Sequence, residues 1–120
     1  MEENINIHQL SFGFATRIVQ LYNYLMQNGG EATLSKQLLL SGTRIGMLTE
    51  EAFAVVQDNP NAFAERIKAA FECSVDVLYW LRLLQATNYL SEERFLGIYS
   101  DAEKLSKLLR TRLSTAEKLL

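Results

Sequence analysis

Residues 38–52 read LLLSGTRIGMLTEEA, an apolar run broken by small and polar residues. With its flanks it sets Leu34, Leu38, Ser41, Ile45, Leu48, Ala52 and Val55 at alternating steps of four and three. That spacing makes one face of an α-helix, not the two-residue alternation of a half-buried strand. The same stretch carries two glycines, and a glycine in a helix interior costs about 1 kcal/mol relative to alanine. Gly42 and Gly46 lie one turn apart and, with Ser41, leave a shallow groove on the helix surface. A second helix can approach the backbone closely there, and the packing gained offsets the propensity lost. That neighbour is either another helix of the same chain or a helix of a second subunit.

Three further segments carry the same periodicity. Toward the N-terminus, Leu10, Phe14, Ile18, Leu21 and Leu25 form a stripe, with Phe12, Ala15, Val19, Tyr22 and Met26 beside it. Gly29-Gly30 closes that helix. On the other side, Asn59-Pro60 reads as an N-cap followed by proline at the first helical position. It opens a helix whose stripe is Phe63, Ile67, Ala70, Ser74, Val77, Leu81 and Leu84. Asn88 suits a left-handed C-cap, and Ser91 caps a last helix, with Glu92 and Glu93 set against its dipole. The last stripe is Phe95, Ile98, Ala102, Leu105, Leu109, Leu113 and Ala116. The pattern predicts helices over about residues 8–28, 33–57, 60–87 and 91–118, forming a single domain over 1–120. Short connections between amphipathic helices predict an all-α, antiparallel up-down-up-down four-helix bundle, and the sustained repeat of about 3.5 residues predicts near-parallel packing.

The bulk numbers agree with a folded, unspecialised chain. It has 120 residues, 48% apolar and 22% charged, with a net charge of −2. A chain of this size can bury a core without disulfides or metals, and its acidic balance gives no global attraction for polyanions. Cys73 is the only cysteine, so no disulfide can form within the chain. MEENINIHQ at the N-terminus lacks the basic flank and apolar core of a signal peptide. No run approaches the about 18 continuous apolar residues of a membrane span, so a cytoplasmic location without membrane attachment is expected.

Residues 77–84, VLYWLRLL, carry a second clue. Only Arg82 is polar, whereas one bundle seam needs about three or four apolar residues per two turns. The helix is expected to bury two faces, one on the bundle core and one on a subunit neighbour; full burial within a monomer is the alternative.

At this point the residues resemble a known family. LSKQLLLSGTRIGMLTEEA, followed by YWLRLL and a short turn into LSEE, is similar to the four-helix bundle family first noted in intervening sequences of bacterial 23S ribosomal RNA genes. The resemblance spans about residues 12–115 and rests on the S-G-T-x-I-G core with its downstream E-A, and on the Y-W-L-R-L-L block. It implies an up-down-up-down bundle assembled as a ring-shaped homopentamer, with no established catalytic activity. A related branch serves as the accessory protein of diversity-generating retroelements, where a basic pentamer binds reverse transcriptase and nucleic acid. The chain departs from the family's S-G-T-S-I-G-A-N at Arg44, Met47 and Leu48, and has Leu40 where a basic residue is usual. Before the Y-W block it has Glu72, Cys73 and Asp76, so only one of the usual acidic positions is kept.

Candidate sites follow. Gln37, Arg44 and Glu51 recur every seven residues along one edge of the apolar seam. That edge, with Gly42, Gly46, Tyr79, Trp80 and Arg82, is expected to face another subunit. There Arg44 is expected to meet a carboxylate, Glu72 or Asp76, because a buried unpaired arginine is costly; the alternative is that Arg44 reaches solvent and the glycines serve packing within the chain. Lys104, Lys107, Arg110, Arg112 and Lys118 give the last helix a basic surface, which repetition in a ring would make multivalent toward phosphates; the alternative is a solvated face that balances an acidic protein. No aromatic residue interleaves with them to stack bases.

Signatures of catalysis are missing. His8 is the only histidine, so neither the paired Glu-x-x-His of a bundle di-metal site nor a well-placed triad can be assembled. Cys73 has no evident activating cation. No glycine loop has the setting of a phosphate cradle. The expected function is a non-catalytic oligomeric adaptor for a protein or nucleic-acid partner, needing no cofactor or metal. The alternative is a small-molecule binder or enzyme using a polar pocket around Arg44, Glu72, Asp76 and Tyr79.

Overall fold

A computed structural model describes residues 2–120, with side chains from Ile7 onward. Four helices occupy the described residues: α1 (Glu2–Gln27), α2 (Ala32–Ala54), α3 (Pro60–Ala86) and α4 (Glu92–Lys118). Short connections force each helix to turn back on the one before it, giving a rod of 46 × 21 × 19 Å. A 27-residue helix spans about 40 Å, so the helices run nearly the full length.

The ends of the helices are set by local chemistry. α1 stops where Gly29 takes a φ of 75°, and the Gly30 N–H donates back to the Leu25 carbonyl at 2.7 Å. A Cβ at Gly30 would sit 2.6 Å from that same carbonyl oxygen, so no larger residue fits. α3 ends in the same way: Asn88 adopts a φ of 70°, and the Tyr89 N–H returns to the Leu84 carbonyl at 2.9 Å. Both are left-handed caps that satisfy orphan carbonyls. At the N-termini, Asn59 accepts from the Ala62 N–H at 3.0 Å, and Ser91 accepts from the Arg94 N–H at 3.3 Å. The α2 cap is Glu31, whose carboxylate accepts from the Leu34 N–H at 2.6 Å. α2 stops at Ala54, short of the expected residue 57, because the Asp58 and Asn59 N–H groups turn back onto the Val55 carbonyl. α1 starts earlier than the periodicity suggested, at Glu2.

The α3 stripe is wholly buried, from Phe63 and Ile67 through Ala70, Ser74, Val77 and Leu81 to Leu84. Leu38, Ile45, Leu48 and Ala52 of α2 meet it, together with Ile18, Leu25 and Leu109 from the flanking helices. Burying one such aliphatic side chain is worth about 1.5–3 kcal/mol. One buried polar pair lies in this core: the Ser74 hydroxyl bridges α3 to α4, donating to Ser106 Oγ at 2.9 Å. α1 departs from its expected stripe. Leu10 is 49% exposed, and buried Ile7 and Ser11 stand in the core instead.

The four seams are not equal. α2 packs closely on both α1 and α3, and α3 on α4, whereas α1 and α4 touch at far fewer points. The bundle is therefore closed tightly on three sides and loosely on the fourth.

Candidate functional site

The S-G-T-R-I-G segment is filled from within. A Cβ at Gly42 would lie 2.7 Å from Cγ1 and 2.8 Å from Cγ2 of Ile18, and one at Gly46 would lie 3.4 Å from the Ser11 carbonyl oxygen and 3.5 Å from the Ala15 Cβ. The helix that exploits the glycine groove is α1 of the same chain. This is the packing within the chain that the sequence left open as the alternative to a subunit contact: Ile18 stands where a side chain on Gly42 would go, and Ser11 and Ala15 lie in ordinary contact with Gly46.

The edge marked by Gln37, Arg44 and Glu51 borders α3. Glu51 accepts from Arg66 Nε at 3.0 Å, an exposed pair of small energetic weight. Arg44 lies beside Cys73 of α3, with Glu72 and Asp76 flanking the thiol. Burial pushes the Cys73 thiol pKa up; the Arg44 guanidinium pulls it back in part, while Asp76 and Glu72 add to the rise. Among the described residues Arg44 forms no ion pair. Arg44, Glu72, Asp76 and Tyr79 are all exposed, so they make an open face rather than an enclosed pocket. The expectation that Cys73 has no cation beside it is corrected: Arg44 reaches the thiol from α2, a contact between helices that spacing along α3 does not reveal.

In VLYWLRLL, Val77, Leu81 and Leu84 enter the core, Leu78, Trp80 and Leu83 are half-buried, and Arg82 is exposed. Tyr79 is 55% exposed and meets the Trp80 ring edge-on at 5.1 Å between centroids. Leu40, Met47 and Val75 add further exposed apolar surface on α2 and α3.

The cations of α4 do not act as one group. Lys104, Lys107, Arg110 and Lys118 are exposed, but Arg112 is half-buried. Its guanidinium lies 4.7 Å from the centroid of the buried Phe63 ring, a cation–π arrangement. Phe63 packs in turn on Phe53 at 5.3 Å, and Phe53 on His8 at 6.1 Å. His8 Nε2 is 2.8 Å from Glu50 Oε1. The lone histidine thus helps fasten one end of the bundle.

The loose α1/α4 seam opens into a groove of about 640 Å³, a feature the apolar stripes did not reveal. Phe14 of α1 and Leu105 and Leu108 of α4 form its floor, with exposed Leu10 on its α1 side and Lys104 and Lys107 at its margin. An ion pair between Arg17 and Asp101 ties the two helices together at one end. Beyond it a second recess of about 480 Å³ lies beside Tyr24 and Gly97, where the Arg94 guanidinium sits 3.6 Å over the Tyr24 ring. The signal available in the sequence was Gly13 and Gly97, helix-interior glycines at which an added Cβ would meet nothing within 4 Å.

The family model described as 23S rRNA-intervening sequence protein matches residues 3–111. The chain belongs to that family. A member of the S23 ribosomal protein family, a protein of unknown function from Bacteroides thetaiotaomicron VPI-5482 with a crystal structure, is similar over 93% of this chain and 98% of its own. The two share 32% identity and a TM-score of 0.88. No curated protein matches. The glycine groove, the Arg44–Cys73 face and the α1/α4 groove all fall inside the span matched to the 23S rRNA-intervening sequence protein family; Arg112 and Lys118 lie beyond it. Among the described residues no group of three or more His, Cys, Asp and Glu is placed to hold a metal, and no helix is long and apolar enough to cross a membrane.

Proposed function

We propose that this 23S rRNA-intervening sequence protein is a non-catalytic adaptor that assembles with copies of itself, as a ring-shaped homopentamer, and holds a protein or nucleic-acid partner. The observation that carries the reading is the spread of exposed large apolar side chains around a well-filled core. Phe12 is 69% exposed, and Leu40, Met47, Val75 and Leu96 join Tyr79 on the outside. Isolated exposed apolar residues are ordinary, but several on neighbouring turns mark surfaces that meet other proteins. Gln37, Arg44, Trp80 and Arg82 border these residues and are the proposed polar margin of the subunit contact. Lys104, Lys107, Arg110, Arg112 and Lys118 are the cations proposed to meet a nucleic acid.

Native mass spectrometry of gently purified protein, unheated and at low salt, tests the assembly. The expected result is a pentamer, with extra mass where a partner is retained; a bare monomer overturns the reading. For a nucleic-acid partner, Lys107→Glu with Arg110→Glu is expected to abolish salt-dependent retention of RNA or DNA.

A further inference from the structure

The α1/α4 seam contains a cost that nothing among the described residues repays. Gly13 and Gly97 weaken their helices, yet unlike Gly42 neither is approached by a neighbour where a side chain would stand. Each glycine lines one of the two recesses of this seam. Gly13 in particular opens the α1 wall midway between Leu10 and Arg17, above a floor of Phe14, Leu105 and Leu108.

The margin of the groove carries a definite charge. Arg17 and Asp101 neutralise one another. Lys104 and Lys107 are in no ion pair among the described residues, so in a protein of net charge −2 this groove keeps surplus positive charge. From Leu10 to Arg17 is about 10 Å along α1, and from Asp101 to Thr111 about 15 Å along α4, at 1.5 Å per residue. That is two to three helical turns, open along one side. An apolar trough of this length with cationic margins complements one shape and charge: an amphipathic helix with apolar residues at i, i+3 or i+4, and i+7, flanked by carboxylates. Phosphate binding would need no apolar floor, and the floor's aromatic ring, Phe14, is buried rather than presented for base stacking.

We infer that the α1/α4 groove is a docking site for an acidic amphipathic helix of a partner protein. Its largest apolar side chain fills the space over Gly13, and its carboxylates face Lys104 and Lys107. This rests on the adaptor reading and names the partner's chemistry. Electrostatic complementarity of this kind sets partner choice and makes binding salt-sensitive.

The test is selection from a random 16-residue phage-displayed peptide library on the wild-type protein, followed by fluorescence anisotropy of the selected peptides. The expected winners combine apolar residues at helical spacing with Asp or Glu. Gly13→Leu, which adds a side chain into open space, is expected to weaken them at least about tenfold while circular dichroism stays unchanged. Lys104→Glu with Lys107→Glu is expected to weaken them about as much and to remove the salt dependence. Neutral or basic winners, winners indifferent to both variants, or no winners at all would overturn the docking site. A drop in the native mass of Gly13→Leu would overturn it in favour of a second copy occupying the groove. An oligomer that keeps its mass but selects no groove peptide would leave the adaptor reading standing without this site, whereas a monomeric wild-type protein would remove the adaptor reading itself.

Discussion

At the scale of single residues, four helix-interior glycines with equal intrinsic penalties have different environments, and the difference is measurable. Gly42 has Ile18 against it, so Gly42→Leu overpacks the α1/α2 seam and is expected to lose about 1–3 kcal/mol. Gly13 faces open space, so Gly13→Ala is expected to gain about 1 kcal/mol from helix propensity alone. Urea denaturation with an unchanged m-value reads both; equal signs would contradict the packing described. Cys73 supplies a second residue-level outcome. Burial raises its pKa and Arg44 partly lowers it, so the thiolate fraction at pH 7 is small and depends on the guanidinium. Disulfide exchange with an aromatic disulfide is expected to be slower than for a free thiol, slower still in Arg44→Ala, and to accelerate as pH rises toward the raised pKa. An Arg44→Ala protein that reacts faster would remove the guanidinium from beside the thiol.

At the scale of elements, the caps explain why the helix boundaries were readable. Asn59-Pro60, Ser91 and Asn88 perform in the structure the roles their residue types suggest, since a side-chain acceptor at an N-terminus and a left-handed C-cap are local chemistry. Asn88→Ala removes the carboxamide and with it the tolerance of φ 70°, and is expected to cost about 1–2 kcal/mol. Thermal unfolding would detect this as a lower Tm, while Asn88→Gly should be close to wild type. The α1 stripe was less readable. Leu10 has the right spacing but belongs to a seam that stays open, and Ser11 is buried against α2 because Gly46 lets the backbones approach. Periodicity reports which face of a helix is apolar; it carries no information on how far the facing helix stands away. For the same reason the basic surface of α4 could not be sorted in advance. Arg112, unlike Arg110, meets the Phe63 ring of α3, a contact between residues far apart in the sequence.

At the scale of the whole molecule, the unequal seams have a consequence in time. The three tight interfaces join helices that follow one another in the chain, and only the α1/α4 seam links its two ends. Little loop entropy has to be spent before most native surface forms, so folding should belong to the fast, locally connected class. A transition state built on α2 and α3 would contain Leu81 and lack the contacts of Leu108. Leu81→Ala is therefore expected to slow refolding in stopped-flow chevrons, and Leu108→Ala to act mainly on the unfolding limb. Equal slowing of refolding by both would mean that the ends meet early. If they meet late, α1 and α4 are also the first to part. The native protein then breathes along one line of its surface, and the amide protons of those two helices should trade with solvent well before those of α2 and α3.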